Sequence, residues 1–167
     1  MTRTILLATI GALGCLTNWC GPARASTTTE AALAVACPGH EDLAPHVDAA
    51  ARRYMLHPVN IVALMHVESR CQAHAVSRCG AIGLLQVLPY GPAANGLPRA
   101  RLRDPRTNIE TGARWLSMMT TWCGGLREGL GAYNSGKCHR SKGFARRVLA
   151  TERRIWLEMA RRREMRT

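Results

Sequence analysis

Residues 58 to 69, PVNIVALMHVES, constrain the fold more than any other stretch of this chain. Proline at the first position suits the opening turn of a helix, where its missing N–H is not needed. Ile61, Val62, Leu64 and Met65 then point in several directions around the helix axis. A helix that is apolar nearly all round belongs in the middle of a domain. The rest of the chain must therefore supply elements that surround it. Near its C-terminal end stands Glu68, the one acid between Asp48 and Asp104.

The flanking sequence reads as more helices. In APHVDAAARRYML, residues Val47, Ala50, Ala51 and Tyr54 share one helical face. In TNIETGARWLSMMTTW, the residues Ile109, Gly112, Ala113, Leu116, Met119 and Trp122 recur at helical spacing, with Thr107 or Asn108 able to cap the start. LREGLGAYN is a further helix weakened by glycines. FARRVLATERRIWLEMARRREMRT is a basic helix that offers Phe144, Val148, Ile155 and Met159 for packing. Glycines and prolines punctuate residues 70 to 106 as a loop-rich region. Strand patterns are scarce, so the expected fold is mainly α. One domain over residues 41–150 is expected, after a polar lead-in at 26–40 and before a basic C-terminal helix or tail at 151–167.

The chain starts with three parts of an export signal. Arg3 is the positive region, Ile5 to Leu16 is an apolar core of 12 residues, and Ala23-Arg24-Ala25 is an A-x-A cleavage site. Residues 1–25 are thus expected to be a signal peptide, and the protein to be exported to the periplasm. Cys15 lacks a Leu three residues before it and makes a poor lipobox. Removing residues 1–25 takes away two arginines and no acids, so the net charge of +12 becomes +12 − 2 = +10. Such a charge suits an acidic partner. Export puts nucleic acid behind an anionic wall polymer, whose peptide stems carry carboxylates.

Five cysteines would remain: Cys37, Cys71, Cys79, Cys123 and Cys138. In an oxidising compartment at most two disulfides form and one thiol is left over. Cys71 with Cys79, across seven intervening residues, is the first expectation and Cys123 with Cys138 the second. Cys37 competes for either partner. No metal site is expected, because C-x-x-C, H-E-x-x-H and paired-ligand spacings are missing. His66-Val67-Glu68 matches half of a zinc deaminase signature, but its P-C-x-x-C half is absent. A thiol nucleophile at Cys71 with His66 or His74 has nothing to orient it.

Glu68 is either a solvated acid at a helix end or a working group. An apolar neighbourhood favours its neutral form. The negative end of the helix dipole does the same. A carboxyl group held protonated near neutral pH is what general acid catalysis needs.

Four blocks resemble the soluble lytic transglycosylase family, the goose-type-lysozyme-like domains that cleave murein. They are ES (Glu68-Ser69), AVS..GAIGLLQVLP (Ala75 to Pro89), LRDPRTNIETGARWL (Leu102 to Leu116) and GAYNSG (Gly131 to Gly136). They stand in family order and cover roughly residues 44 to 148. The resemblance implies a lysozyme-like single domain whose central buried helix carries a catalytic glutamate, here Glu68. It implies that Ser77 contacts the carboxylate and substrate, that Gln86 meets the sugar beside the scissile bond, and that Tyr133 and Asn134 line the cleft. Each also has a structural reading: Ser77 as a turn residue, Gln86 bonded to loop backbone, Tyr133 as core. Leu85 stands where the family often has Met, a volume-conserving exchange.

The resemblance further implies cleavage between N-acetylmuramic acid and N-acetylglucosamine, with no cofactor and glycan strands of peptidoglycan as the partner. One acid suffices if the muramic C6 hydroxyl attacks C1 and leaves a 1,6-anhydro end. Asp104 reads as a cap and Glu110 as a first-turn acid. The small size resembles the specialised enzymes of secretion or conjugation machines. A lysozyme-like hydrolase and a silent wall-binding scaffold are the rival readings. For the basic tail, a solvated packing helix, a wall-binding surface and a surface for another protein or a membrane are all open.

Overall fold

The computed structural model describes residues 27–165, and the expected signal peptide lies outside them. Among the described residues the chain is helical apart from short connections and one long non-helical segment, residues 70–98, which holds two isolated β-bridges and no strand. The helices are α1 (Thr28–Ala36), α2 (Ala44–Tyr54), α3 (Pro58–Ser69), α4 (Arg99–Leu102), α5 (Pro105–Cys123), α6 (Leu126–Ser135) and α7 (Lys142–Glu164). A single 3-10 turn, Glu41–Leu43, leads into α2.

Helix α3 is the centre, as its apolar circumference requires. Every residue from Val59 to Met65 is buried, the polar Asn60 included. Full burial of an Ile, Leu or Met side chain stabilises a fold by about 1.5–3 kcal/mol, so this helix anchors the core. Helices α1, α2 and α7 pack directly against it, and α5 and α6 complete the ring through α2 and α7. The buried stripe of α7 is Phe144, Ala145, Val148 and Ile155, and Met159 is half-buried beside it.

The segment expected as a polar lead-in is instead structured. Thr27 and Glu30 form a capping box at the start of α1, which satisfies two N–H groups that no helical bond reaches. Ala32 and Leu33 are fully buried, and Thr29 donates to Asp48 of α2. Of the residues that could cap the start of α5, Asp104 is the N-cap and Thr107 and Asn108 are not; Asp104 accepts from the Thr107 N–H at 2.8 Å. Thr107 donates its hydroxyl to the same carboxylate, and these two bonds hold Asp104 below the usual carboxylate range.

The first disulfide expectation is corrected. Cys71 is joined to Cys37, not Cys79, and Cys79 is exposed and free. The reason lies in the end of α3. Arg70 and Cys71 both have left-handed backbone, with φ of 52° and 64°. This reversal buries the Cys71 side chain against the last turn of α1, its sulfur 3.8 Å from the Ala36 carbonyl. Cys123 is joined to Cys138, which ties the end of α5 to the turn after α6. No helix among the described residues is long and apolar enough to cross a membrane.

Candidate active site

Glu68 occupies the last turn of α3 and is half-buried. Its immediate neighbour Ser69 faces inward, its hydroxyl 2.9 Å from the Leu84 carbonyl. The end of α3 is therefore fastened to the loop 81–87, AIGLLQV. Burial pushes the Glu68 carboxyl up from its ordinary 4.5 to about 7, while the Arg147 guanidinium of α7 pulls it down. Among the described residues no carboxylate contributes to that shift. Asp104 is used at its cap, and Glu110 pairs with Arg53 at 2.8 Å and receives the Tyr54 hydroxyl at 3.3 Å.

The loop 81–87 is held on three sides. The Asn108 side chain of α5 accepts from the Leu85 N–H and donates to the Ile82 and Leu102 carbonyls, each at 2.8 Å. The Tyr133 hydroxyl of α6 donates to the Leu85 carbonyl at 2.6 Å. Ile82 bridges Val76 and Val87 across the hairpin-like turn. Glycine is required at two points of this assembly. Gly83 has φ +78°, and a Cβ there would overlap the Asn108 amide. At Gly112 a Cβ would stand 2.6 Å from the Leu85 Cβ and 3.0 Å from the Tyr133 hydroxyl.

Tyr133 is half-buried and packed on the core. Desolvation, with the charge of Glu68 added, raises its phenol well above the ordinary value. It is therefore a neutral hydrogen-bond donor close to Glu68. The other three expected site residues are placed less directly. Ser77 is exposed, and its hydroxyl accepts from the Ala81 N–H at 3.0 Å, closing the turn before Ile82. Gln86, in left-handed backbone at φ 46°, donates to the Gly83 carbonyl at 2.9 Å. Asn134 is exposed and donates to Ser141 at 2.9 Å, which ties α6 to the start of α7. All three side chains thus make bonds within the fold.

His66, one turn before Ser69, bonds α1 and α7. Its Nδ1 donates to the Ala36 carbonyl at 2.8 Å, and Nε2 accepts from Arg154 at 3.2 Å. That role in packing α1 and α7 onto α3 leaves no free imidazole to activate a thiol. A groove of about 630 Å³ opens between Pro89–Gly91 and Gly96–Ala100, and none of the expected residues lines it.

Three contributors escaped the sequence reading. Asn108 looked like a surface cap, although a polar residue inside an apolar stripe was a hint of burial. Gly112 was read only as part of the stripe. Arg147 reaches Glu68 from nearly 80 positions away, and no local pattern announces that.

Residues 45–153 match the family described as Transglycosylase SLT domain. Among solved structures, the fold resembles an inactive Glu-to-Gln mutant of lytic transglycosylase Slt from Pseudomonas aeruginosa. The TM-score is 0.54 at 29% sequence identity, over 69% of this chain and 19% of that one. The chain thus spans about a fifth of the length of the enzyme it matches.

Proposed function

Since the chain belongs to the transglycosylase SLT domain family, we propose that it is a lytic transglycosylase acting on peptidoglycan, with Glu68 as its acid and base. The observation that carries this reading is the state of Glu68. It is a carboxyl group at the end of the central helix, beside a rigid loop, with its pKa raised to about 7 by burial. The similar solved structure is of an inactive mutant in which a glutamate is replaced by glutamine, which fits a single indispensable carboxyl.

The protonated Glu68 carboxyl gives its proton to the oxygen between N-acetylmuramic acid and N-acetylglucosamine, and the bond from that oxygen to C1 breaks. The substrate's acetamido group stabilises the charge left at C1. The Glu68 carboxylate then takes the proton of the muramic C6 hydroxyl as that oxygen bonds to C1. The result is a 1,6-anhydromuramic end, with Glu68 protonated again and no water consumed. An ordinary glycosidase places a second carboxylate across the bond. Here the acids considered for that role, Asp104 and Glu110, are held by Thr107 and Arg53.

In this reading Ser77, Gln86, Tyr133 and Asn134 bind the strand around Glu68. The two disulfides fit an exported, periplasmic protein. Cutting locally for a secretion or conjugation apparatus rests on the leader-like start and small domain, and co-purification from envelopes tests it. Mass spectrometry of digested wall tests the chemistry. Anhydro ends that vanish in Glu68→Gln are expected. Reducing ends carrying oxygen from water would make the protein a hydrolase, and unchanged wall would make it a scaffold.

A further inference from the structure

Helix α7 runs past the candidate site and continues well beyond it. Arg147 of α7 lies near Glu68, at the C-terminal end of α3. Further along α7, Arg154 bonds His66 at 3.2 Å, and Trp156 lies against His57 with ring centroids 5.2 Å apart. The two helices are thus antiparallel, and α7 extends past the start of α3 to Arg162, which donates to Ala34 of α1 at 3.3 Å.

Arg147, Arg154 and Arg161 are seven residues apart. Seven residues are close to two helical turns, so the three share one face at intervals of about 10.5 Å. All three are exposed. The Arg147 guanidinium rests over the Phe144 ring at 5.5 Å, which sets its direction. Arg161 is 3.5 Å from Glu158, but Arg162 holds the same carboxylate at 3.0 Å. One acid between two arginines leaves the local charge positive. The stripe flanks the buried face of Phe144, Val148 and Ile155, so packing does not explain it.

We propose that Arg147, Arg154 and Arg161 form a cationic track that binds the carboxylates of the peptide stems on a glycan strand as the strand leaves the Glu68 cleft. This rests on the function proposed above. A strand cut at Glu68 must pass Arg147, and its stems present anions at regular intervals. Spaced single cations suit that pattern. Trp156 and Leu157 of the same helix are also exposed, so anionic vesicles are the rival occupant that the test compares.

The test uses full-length protein carrying Glu68→Gln, so that strands are not consumed. Binding at low salt is compared for uncrosslinked strands with stems and for the same strands stripped by an amidase. A preference of roughly fivefold for stem-bearing strands is expected, as two or three exposed ion pairs give, and salt should abolish it. Adding Arg154→Gln and Arg161→Gln should remove the preference, while the two Lys exchanges should keep it. Should Arg154→Gln unfold the protein, Arg161→Gln alone should halve the preference. Equal binding of both strands, an unchanged preference in the Gln variants, or tighter binding of duplex DNA or anionic vesicles overturns the track. Cleavage of stem-bearing strands by the wild type is scored separately. Cleavage without stem preference rejects the track and keeps the enzyme, whereas preference without cleavage rejects the enzyme and keeps the track.

Discussion

The Tyr133 hydroxyl donates to the Leu85 carbonyl at 2.6 Å, linking α6 to the loop that Ser69, the neighbour of Glu68, also holds. Residues 48 positions apart are joined by one bond beside the candidate acid. Tyr133→Phe keeps the ring and leaves that carbonyl without this partner, which costs about 1–3 kcal/mol. Urea unfolding should show the loss at unchanged m-value. Activity should fall further than stability explains, because the loop would no longer be fixed. Equal stability of the two proteins would mean that the bond contributes nothing.

Asn108 should be the most sensitive polar position of the loop. Its amide serves the Leu85 N–H and the Ile82 and Leu102 carbonyls while 1% exposed. Asn108→Ala leaves all three without that partner, and a loss of about 3 kcal/mol is expected. Asn108→Asp keeps one acceptor and loses two donors in a buried place, so it should be no better. Thermal unfolding of the two variants decides this, and a shift of less than about 2 °C in either would contradict it.

Gly112→Ala tests the close approach of α5 to the same loop. The added methyl would meet Leu85 at 2.6 Å and the Tyr133 hydroxyl at 3.0 Å. Overpacking of this kind costs about 1–3 kcal/mol. The strain falls on the loop, so activity at a temperature well below unfolding should drop as well. An Ala variant as active and stable as the parent would show that the loop can retreat freely.

The helices were legible because each carries its own periodicity. PVNIVALMHVES is apolar all round, and that property both delimits α3 and places it at the centre. Glu68 stood out for a related reason, since an acid at the end of such a helix cannot be fully hydrated. The partners of the site were harder to see. Asn108 and Gly112 sit in a helical stripe whose pattern reports only burial, not what touches it. Arg147 meets Glu68 through the packing of α7 on α3, a tertiary fact. The cysteines failed for the same cause. Cys79 is nearer to Cys71 in sequence, but the left-handed residues Arg70 and Cys71 turn the chain toward Cys37. The polar look of residues 26–40 hid α1 because its buried side is made of small alanines around Leu33.

Non-reducing peptide mapping should therefore find Cys37 linked to Cys71 and Cys123 to Cys138, with Cys79 open to alkylation. The first bridge closes 34 residues and pins α1 beside the end of α3. A Cys37→Ser, Cys71→Ser double variant should lose about 3–4 kcal/mol, as expected for a loop of that length. Cys79→Ser should lose almost nothing. A Cys71–Cys79 peptide would refute the connectivity.

The pH dependence of Glu68 follows from its raised pKa, and its sign can be worked through. The unfolded chain ionises this group near 4.5, the folded protein near 7. Between those values the folded state binds more protons than the unfolded state, so the Glu68 contribution to stability falls as pH rises. Below about pH 4 both states are protonated and no penalty exists; above about pH 7 the penalty is complete. Glu68→Gln escapes it and should exceed the wild type by about 2 kcal/mol at pH 8, with the gap closing toward pH 4. Activity should be lost on the alkaline side as the proton leaves near pH 7, a limb visible in kcat/KM. Arg147→Gln removes the cation that opposes the shift, so this limb should move to higher pH. Movement to lower pH, or a stability gap that does not widen with pH, would show that burial does not govern Glu68.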